Sequence, residues 1–373
     1  MEYIILLLVL LFGAFYLEKG KGALSKRWFY LEWLLIVLIF GLRYKVGGDS
    51  IHYEASYLDN PPLSKFIFYD PSVTERYAPL WRLFVSICRS ISDEFLFFQI
   101  VHAIFFNSCI FYFFKKHTDE YYLAILLYSV CYIFVYNTET LRASLAIGVF
   151  LLSFDYIKNK QWFKYILSCL IAYLFHYEAV IMLVFPMFTF FEKCKIDWTI
   201  VMVTILLSYS LITIVDLYPI LSDISNTNST MKTYYEYYSY AANSVYNLNA
   251  VIYDFLVKVA PLILLLFFTK DNSSNKLYFV MLIFFQIVSI RYSVFTSRMV
   301  YFIAPVAIVY ISKMSEDLPA KKNVPFICTV TFFVVTTIIS HWYLFPFVYP
   351  YSSIINPVEY PEREYLLEYI MSR

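Results

Sequence analysis

The chain has 373 residues, of which 61% are hydrophobic and only 15% charged, and its mean hydropathy is +0.63. With 37 Tyr and 37 Phe it lies far from the averages of soluble domains and matches a polytopic membrane protein. A net charge of +1 with no basic run longer than two residues gives no sign of a nucleic-acid-binding surface, and nucleic acid is not an expected partner. Six cysteines lie far apart without C-x-x-C spacing, so they read as small hydrophobes, neither a disulfide framework nor a metal site.

From the N-terminus, the apolar run Ile4 to Leu17 lacks a basic leader and a small-residue cleavage site, and it reads as a retained first span. Runs long enough to cross about 30 Å of hydrocarbon, allowing tilt, fall near 3–18, 27–42, 95–114, 121–137, 141–157, 162–176, 178–191, 199–216, 250–268, 277–290, 296–312 and 326–345. The expected fold is therefore an all-α integral membrane domain over 1–373 with about 12 (11–14) transmembrane helices. The run Pro79 to Ile91 is too short to cross. Trp81, Phe84, Val85 and Cys88 share one face, with Arg82, Ser86 and Arg89 on the other, so it reads as an amphipathic or re-entrant helix.

With that segment kept outside, the short loops at 19–27, 115–120, 158–164, 192–198, 269–276 and 313–325 share one side and carry most of the lysines, which makes that side cytoplasmic. Nine of the ten arginines fall on the opposite side. A lysine serves the positive-inside signal as a generic solvated cation, whereas the rigid guanidinium fork suits bidentate phosphate or carboxylate contacts. The outer face also holds the long loops, at 43–94 and 217–249, and a tail over 346–373. The second loop runs Tyr234-Tyr235-Glu236-Tyr237-Tyr238-Ser239-Tyr240, read either as an interfacial aromatic belt or as stacking platforms for sugar rings. Within the 250–268 span, Lys258 follows Asp254 by one turn, the spacing of an intrahelical ion pair.

The candidate site follows from these arginines. Gly41-Leu42-Arg43-Tyr44-Lys45-Val46-Gly47-Gly48-Asp49-Ser50-Ile51-His52-Tyr53 places a cation, two glycines able to adopt positive φ and an aspartate at a span boundary. Arg142 opens the 141–157 span, where a helix positions its charge at headgroup depth; Glu139, three residues earlier, is either its ion-pair partner or a substrate contact. Arg291 and Arg298 are further outer cations. His176 ends an apolar span and is followed by Tyr177 and Glu178, so an imidazole beside a carboxylate is available as a base near neutral pH. No residues have metal-ligand spacing, and no cofactor is expected.

These pieces carry a family resemblance. Gly-Leu-Arg-Tyr-x-Val-Gly-x-Asp-x-x-x-Tyr at 41–53, Glu75-Arg76-Tyr77, Leu141-Arg142-Ala143-Ser144-Leu145-Ala146, Leu174-Phe175-His176-Tyr177-Glu178-Ala179 and Pro350-Tyr351 occur in an order that resembles the EpsG family of Wzy-like polysaccharide polymerases. One departure is Arg142-Ala143, where the family usually carries Arg-Gln. The resemblance implies a GT-C-like glycosyltransferase at the outer, periplasmic face of a bacterial inner membrane. It would join undecaprenyl-diphosphate-linked oligosaccharides, as donor and acceptor, into an O-antigen, capsule or exopolysaccharide chain. Membrane lipids and a chain-length regulator are the other expected partners. On that reading His176, Asp49 and Arg142 are the catalytic candidates. Arg43, Tyr44, Gly47, Gly48, Tyr53, Glu75, Arg76, Tyr77, Glu139, Tyr177, Glu178, Arg291 and Arg298 contact substrate. A flippase for the same lipid-linked sugars and an O-antigen ligase are the alternatives; the missing internal repeat and missing broken-helix pairs count against the flippase.

Overall fold

The computed structural model describes residues 1–17, 22–66, 77–187, 198–213, 252–268, 275–291, 293–316, 320–361, 363 and 365. Among these, every regular element is a helix, and backbone pairing is confined to isolated bridges. The Tyr-rich loop, Glu75 and Arg76 lie outside the described residues.

In chain order the helices are α1 (Glu2–Phe12), α2 (Ala23–Gly41), α3 (Ser50–Asp59), α4 (Leu63–Phe66), α5 (Pro79–Ile91), α6 (Phe95–His117), α7 (Tyr121–Cys131), α8 (Leu141–Lys158) and α9 (Trp162–Phe175). Then come α10 (Trp198–Thr213), α11 (Ala260–Leu266), α12 (Asn275–Arg291), α13 (Ser293–Glu316), α14 (Ala320–Ser340) and the short α15 (Phe345–Val348). Residues Met1–Leu183 and His341–Arg373 form one compact unit, and Val184–Ser340 a second.

The first unit is organised around α6. His102 bonds the Leu141 carbonyl, Gly148 faces Cys109, and Lys116 meets Asp155, so contacts one heptad apart on α6 meet contacts one heptad apart on α8. That constant register makes the two helices parallel neighbours with a coiled-coil-like seam. Gly148 permits the approach: a Cβ there would already meet Cys109 Sγ and Phe105 Cε1 at 3.3 Å. Small residues at such a seam let helices pack closely where lipid offers no hydrophobic drive. Helix α2 runs the other way. Phe29 meets Phe111, Trp33 donates to Ser108 Oγ, and Gly41 lies against Ile100, so its C-terminal end reaches the α6 end where α8 begins.

Asn107, Tyr128 and Asn137 pair with one another inside this bundle. Asn107 Nδ2 donates to Asn137 Oδ1 at 2.9 Å, Tyr128 donates to Asn107 Oδ1 at 2.9 Å, and Asn137 Nδ2 donates to Tyr128 at 3.0 Å. A closed ring of this kind pins α6, α7 and the turn after α7 without leaving a buried group unpaired.

Helix α9 shows the inverted surface expected in lipid. It buries Tyr165, Cys169 and Ala172, while Phe163 is 82% exposed and Ile166, Leu167 and Leu170 are exposed beside it. Water would penalise such a face and hydrocarbon would not. The chain is a membrane protein. By length and composition, the described helices that can cross a bilayer are Phe95–His117 and Arg298–Ser315, with a third if Val324–Ser340 and Trp342–Val348 form one broken span. Twelve crossings therefore remain an expectation of the sequence.

Helix α5 takes the expected bounds. Pro79 occupies its first turn, where the missing N–H costs nothing, and Trp81, Val85 and Cys88 are buried. Its buried face joins Tyr53, Tyr57, Tyr77, Phe95, Phe98, Leu141 and Leu145 in one aromatic cluster at the α6–α8 end that carries Arg142. In the second unit, Lys258 pairs with Asp254 at 3.1 Å, the intrahelical contact that the spacing predicts.

Candidate functional site

The site candidates of the first unit gather at the end where α2 stops and α8 starts. The turn after α2 is held by the C-terminal segment. Tyr44 N–H donates to Ser352 O at 2.9 Å, Ile354 N–H to Leu42 O at 2.9 Å and Gly47 N–H to Phe347 O at 3.0 Å. Arg363, itself buried, donates to Lys45 O at 3.4 Å and to Pro350 O, and Tyr351 donates to Ile39 O at 2.9 Å. Residues 345–363 are thus a strap across the turn. Sequence reasoning flagged Pro350-Tyr351 but had no signal for the strap, because these contacts use backbone carbonyls that no side-chain pattern reports.

Gly47 sits at φ +110°, a region closed to side-chain-bearing residues, and it turns the next two N–H groups outward from the strap. They point at an anion, and that anion belongs to the protein. Gly48 N–H donates to Glu139 Oε1 at 2.8 Å and Asp49 N–H to Glu139 Oε2 at 3.2 Å. Thr138 Oγ1 adds a third donor to Oε1 at 2.8 Å, and Tyr53 OH donates to the Glu139 carbonyl at 3.1 Å. The glycine turn therefore cradles a carboxylate where a phosphate was expected. Glu139 does not form the close ion pair with Arg142 that their spacing offered; its carboxylate has turned to the 48–49 backbone.

Burial raises the Glu139 carboxyl to about 7, and the neighbouring Asp49 charge pushes the same way; the Thr138 and backbone donors pull it down. Arg43 adds an opposing field, but from within. It is 1% exposed, and its guanidinium donates to Phe40 O. The Gln99 amide, oriented by its hydrogen-bond network, accepts from Arg43 Nε at 3.2 Å. Burial lowers the Arg43 guanidinium to about 10, and Glu139 partly offsets this, so it stays cationic at neutral pH. Arg43 fastens the end of α2 and reaches no surface in this state; Tyr44 beside it is half-buried.

Arg142 lies on the first turn of α8, with its guanidinium 4.8 Å from the centre of the Tyr77 ring. A cation over an aromatic face is attracted by the ring quadrupole, which helps to fix where this charge stands. His102 secures that turn. A carbonyl can only accept, so Nε2 carries the proton and donates to Leu141 O at 3.1 Å, with Ser144 Oγ at 2.8 Å on the same nitrogen. This buried histidine ties α6 to the first turn of α8, and no residue spacing in the chain singles it out.

His176 lies at the C-terminal end of α9. Helices α8 and α9 form an antiparallel hairpin through Asn159-Lys160-Gln161, so His176 returns to the Arg142 end. It is 5% exposed, and its Nε2 is 3.2 Å from Glu178 Oε2; Tyr177 is half-buried beside it. Phe175 reaches Phe84 of α5, which links this corner to the aromatic cluster.

The fold thus gathers Gly47, Gly48, Asp49, Tyr53 and Glu139 by direct bonds and joins Tyr77 to Arg142. It carries His176, Tyr177 and Glu178 to the same end. Arg298 belongs to the second unit, where it is half-buried, and the side chain of Arg291 lies outside the described residues. Cationic, carboxylate and imidazole groups at one end of a helical bundle can bind an anionic leaving group and accept a proton.

No curated protein and no solved structure matches the chain. The family model of the EpsG family matches residues 26–353, a stretch that takes in the glycine turn, Glu139, Arg142, His176 and the start of the strap. The chain belongs to the EpsG family.

Proposed function

We propose that this protein is a Wzy-like polymerase. It transfers a growing glycan from undecaprenyl diphosphate to a hydroxyl of the next lipid-linked repeat unit, at the outer face of a bacterial inner membrane. The product is an O-antigen, capsule or exopolysaccharide chain. Membership of the EpsG family supports polysaccharide polymerisation in general terms. The observation that carries the reading to a site is Arg142, set 4.8 Å from the Tyr77 ring centre at the start of a helix, three residues from a backbone-clamped carboxylate.

Breaking the bond between a sugar and a diphosphate builds negative charge on the departing oxygen and positive charge at the anomeric carbon. A fixed guanidinium lowers the barrier by meeting the first of these, and the α8 N-terminus adds its positive dipole end at the same place. The acceptor hydroxyl loses its proton as it attacks, so an acceptor group must be within reach. Asp49, Glu139 and His176 all lie at this end of the unit. In the proposed topology of about twelve spans, the Arg142 end faces the periplasm and the Lys116 end the cytoplasm, following the lysine excess.

The test is a reconstituted reaction. Purified protein given defined lipid-diphosphate-linked repeat units should produce a ladder of longer lipid-linked glycans without added nucleotide. Movement of units between leaflets with no new glycosidic bond would establish a flippase instead. Transfer onto a lipid A core alone would establish a ligase. R142A should abolish the ladder with the protein still folded, and wild-type yield from it would remove Arg142 from the site.

A further inference from the structure

Among the described residues at the Arg142 end, His176, Asp49 and Glu139 are candidate proton acceptors, and their surroundings differ. His176 is tied to Glu178 at the end of α9. Asp49 stands at the start of α3 and contributes its N–H to the neighbouring carboxylate. Glu139 is fixed from three sides: Oε1 accepts from Gly48 N–H and Thr138 Oγ1, and Oε2 accepts from Asp49 N–H. A carboxylate has about four acceptor positions, and these donors fill both on Oε1 and one on Oε2. One position on Oε2 is left.

We propose that Glu139 is the catalytic base, taking the proton of the acceptor hydroxyl on Oε2, with Asp49 as the partner carboxylate that tunes it. This rests on the glycosyl-transfer reading. In the step, the acceptor O–H proton moves to Glu139 Oε2 and the oxygen pair forms the bond to the anomeric carbon. The bond from that carbon to the diphosphate oxygen breaks, and its pair leaves with the diphosphate, where Arg142 meets the charge. Glu139 then returns its proton to water or to the released diphosphate.

Three observations support the choice over His176. Glu139 is three residues from Arg142, so one short segment carries the proton acceptor and the cation for the leaving group, as simultaneous bond making and breaking requires. The backbone clamp gives it the preorganised position that a base needs. Its environment also makes it a stronger base than an ordinary carboxylate: burial and Asp49 raise it to about 7, where half the molecules are ionised near neutral pH. The other groups around it are Arg43 from the end of α2, whose charge opposes the shift, Tyr53 of α3 on its carbonyl, and Phe347 of the strap, which is apolar and whose carbonyl accepts from Gly47 N–H.

The test is the pH dependence of ladder formation in the reconstituted enzyme. A base must be ionised, so wild-type activity should fall below an apparent pKa near 7. D49N removes the negative neighbour and should move that acid limb to lower pH. E139Q should lower turnover about 100-fold or more at every pH while donor binding persists. An infrared pH titration of the unreacted protein should show a protonated carboxyl band disappearing near neutrality, and this band should be missing in E139Q. If E139Q does not fold, the D49N shift and the wild-type infrared band decide. An unmoved limb in D49N, E139Q turnover within a few-fold of wild type, or a limb abolished by H176Q and untouched by D49N overturns the assignment to Glu139. In each of those cases the wild-type ladder still stands, so the base fails while the polymerase reading survives. A wild-type protein that makes no ladder sinks both.

Discussion

Replacing Gly47 by alanine tests whether the glycine turn sets the site. Two costs arise from one added methyl group. The backbone at φ +110° lies where non-glycine residues are strained, about 1–3 kcal/mol. The new Cβ would also stand 2.5 Å from Thr138 Cβ, 3.2 Å from Thr138 Oγ1 and 3.3 Å from Glu139 Oε1. Relieving such an overlap in a packed site costs roughly another 1–3 kcal/mol. The sum, roughly 2–6 kcal/mol, is large against a typical folding free energy, so the turn should move before the whole unit unfolds. The neighbours that must give are the two residues that hold and form the clamped carboxylate, so activity should fall further than stability. The assays are the thermal midpoint in detergent and the yield of the lipid-linked ladder at one enzyme concentration. A G47A protein with wild-type midpoint and wild-type ladder would refute the geometry of the turn. One with a lowered midpoint but full activity would refute its link to the site.

The strap makes a second prediction. R363A removes the guanidinium that bonds Lys45 O and Pro350 O, and losing hydrogen bonds from a charged donor costs about 1.5–3 kcal/mol. Limited proteolysis should then cut residues 346–361 faster than in wild type, with ladder yield reduced; unchanged protection would show that the strap is held without Arg363. Sidedness has its own check. Lys116, half-exposed and 2.5 Å from Asp155, should be shielded from an outside-only thiol reagent when changed to cysteine in a protein whose native cysteines are replaced. Labelling from outside would invert the proposed topology.

Legibility in the sequence follows the range of the interactions. The bounds of α5 were readable because Pro79 and an apolar stripe at helical spacing are local signals, and the Asp254–Lys258 pair because one turn separates its members. The parallel seam of α6 and α8 was not, since the heptad partners are 39 residues apart and all residue types there are ordinary in an apolar helix. At the candidate site, residue types suggested contacts that differ from those the structure shows. Gly47 and Gly48 do turn backbone N–H groups toward an oxyanion, but Glu139 from 91 residues away fills the cradle. Arg43 looked like an exposed cation at a span end, yet Phe40 O and Gln99 draw it inward, because a buried carbonyl needs a donor and a guanidinium supplies several.

The burial of Arg43 and the clamping of Glu139 are one arrangement. The buried Arg43 charge partly offsets two neighbouring carboxylates, and the Asp49 N–H bonded to Glu139 Oε2 brings Glu139 and Asp49 together. Had Arg43 turned outward to substrate, it would have paired with Glu139 directly and pulled its carboxyl down, leaving a weak base. Arg142, over the Tyr77 ring, is a second cation at the start of α8. The division fits a reaction that needs a positive charge at the leaving group and an unquenched negative charge at the acceptor, a few residues apart on the same turn of chain.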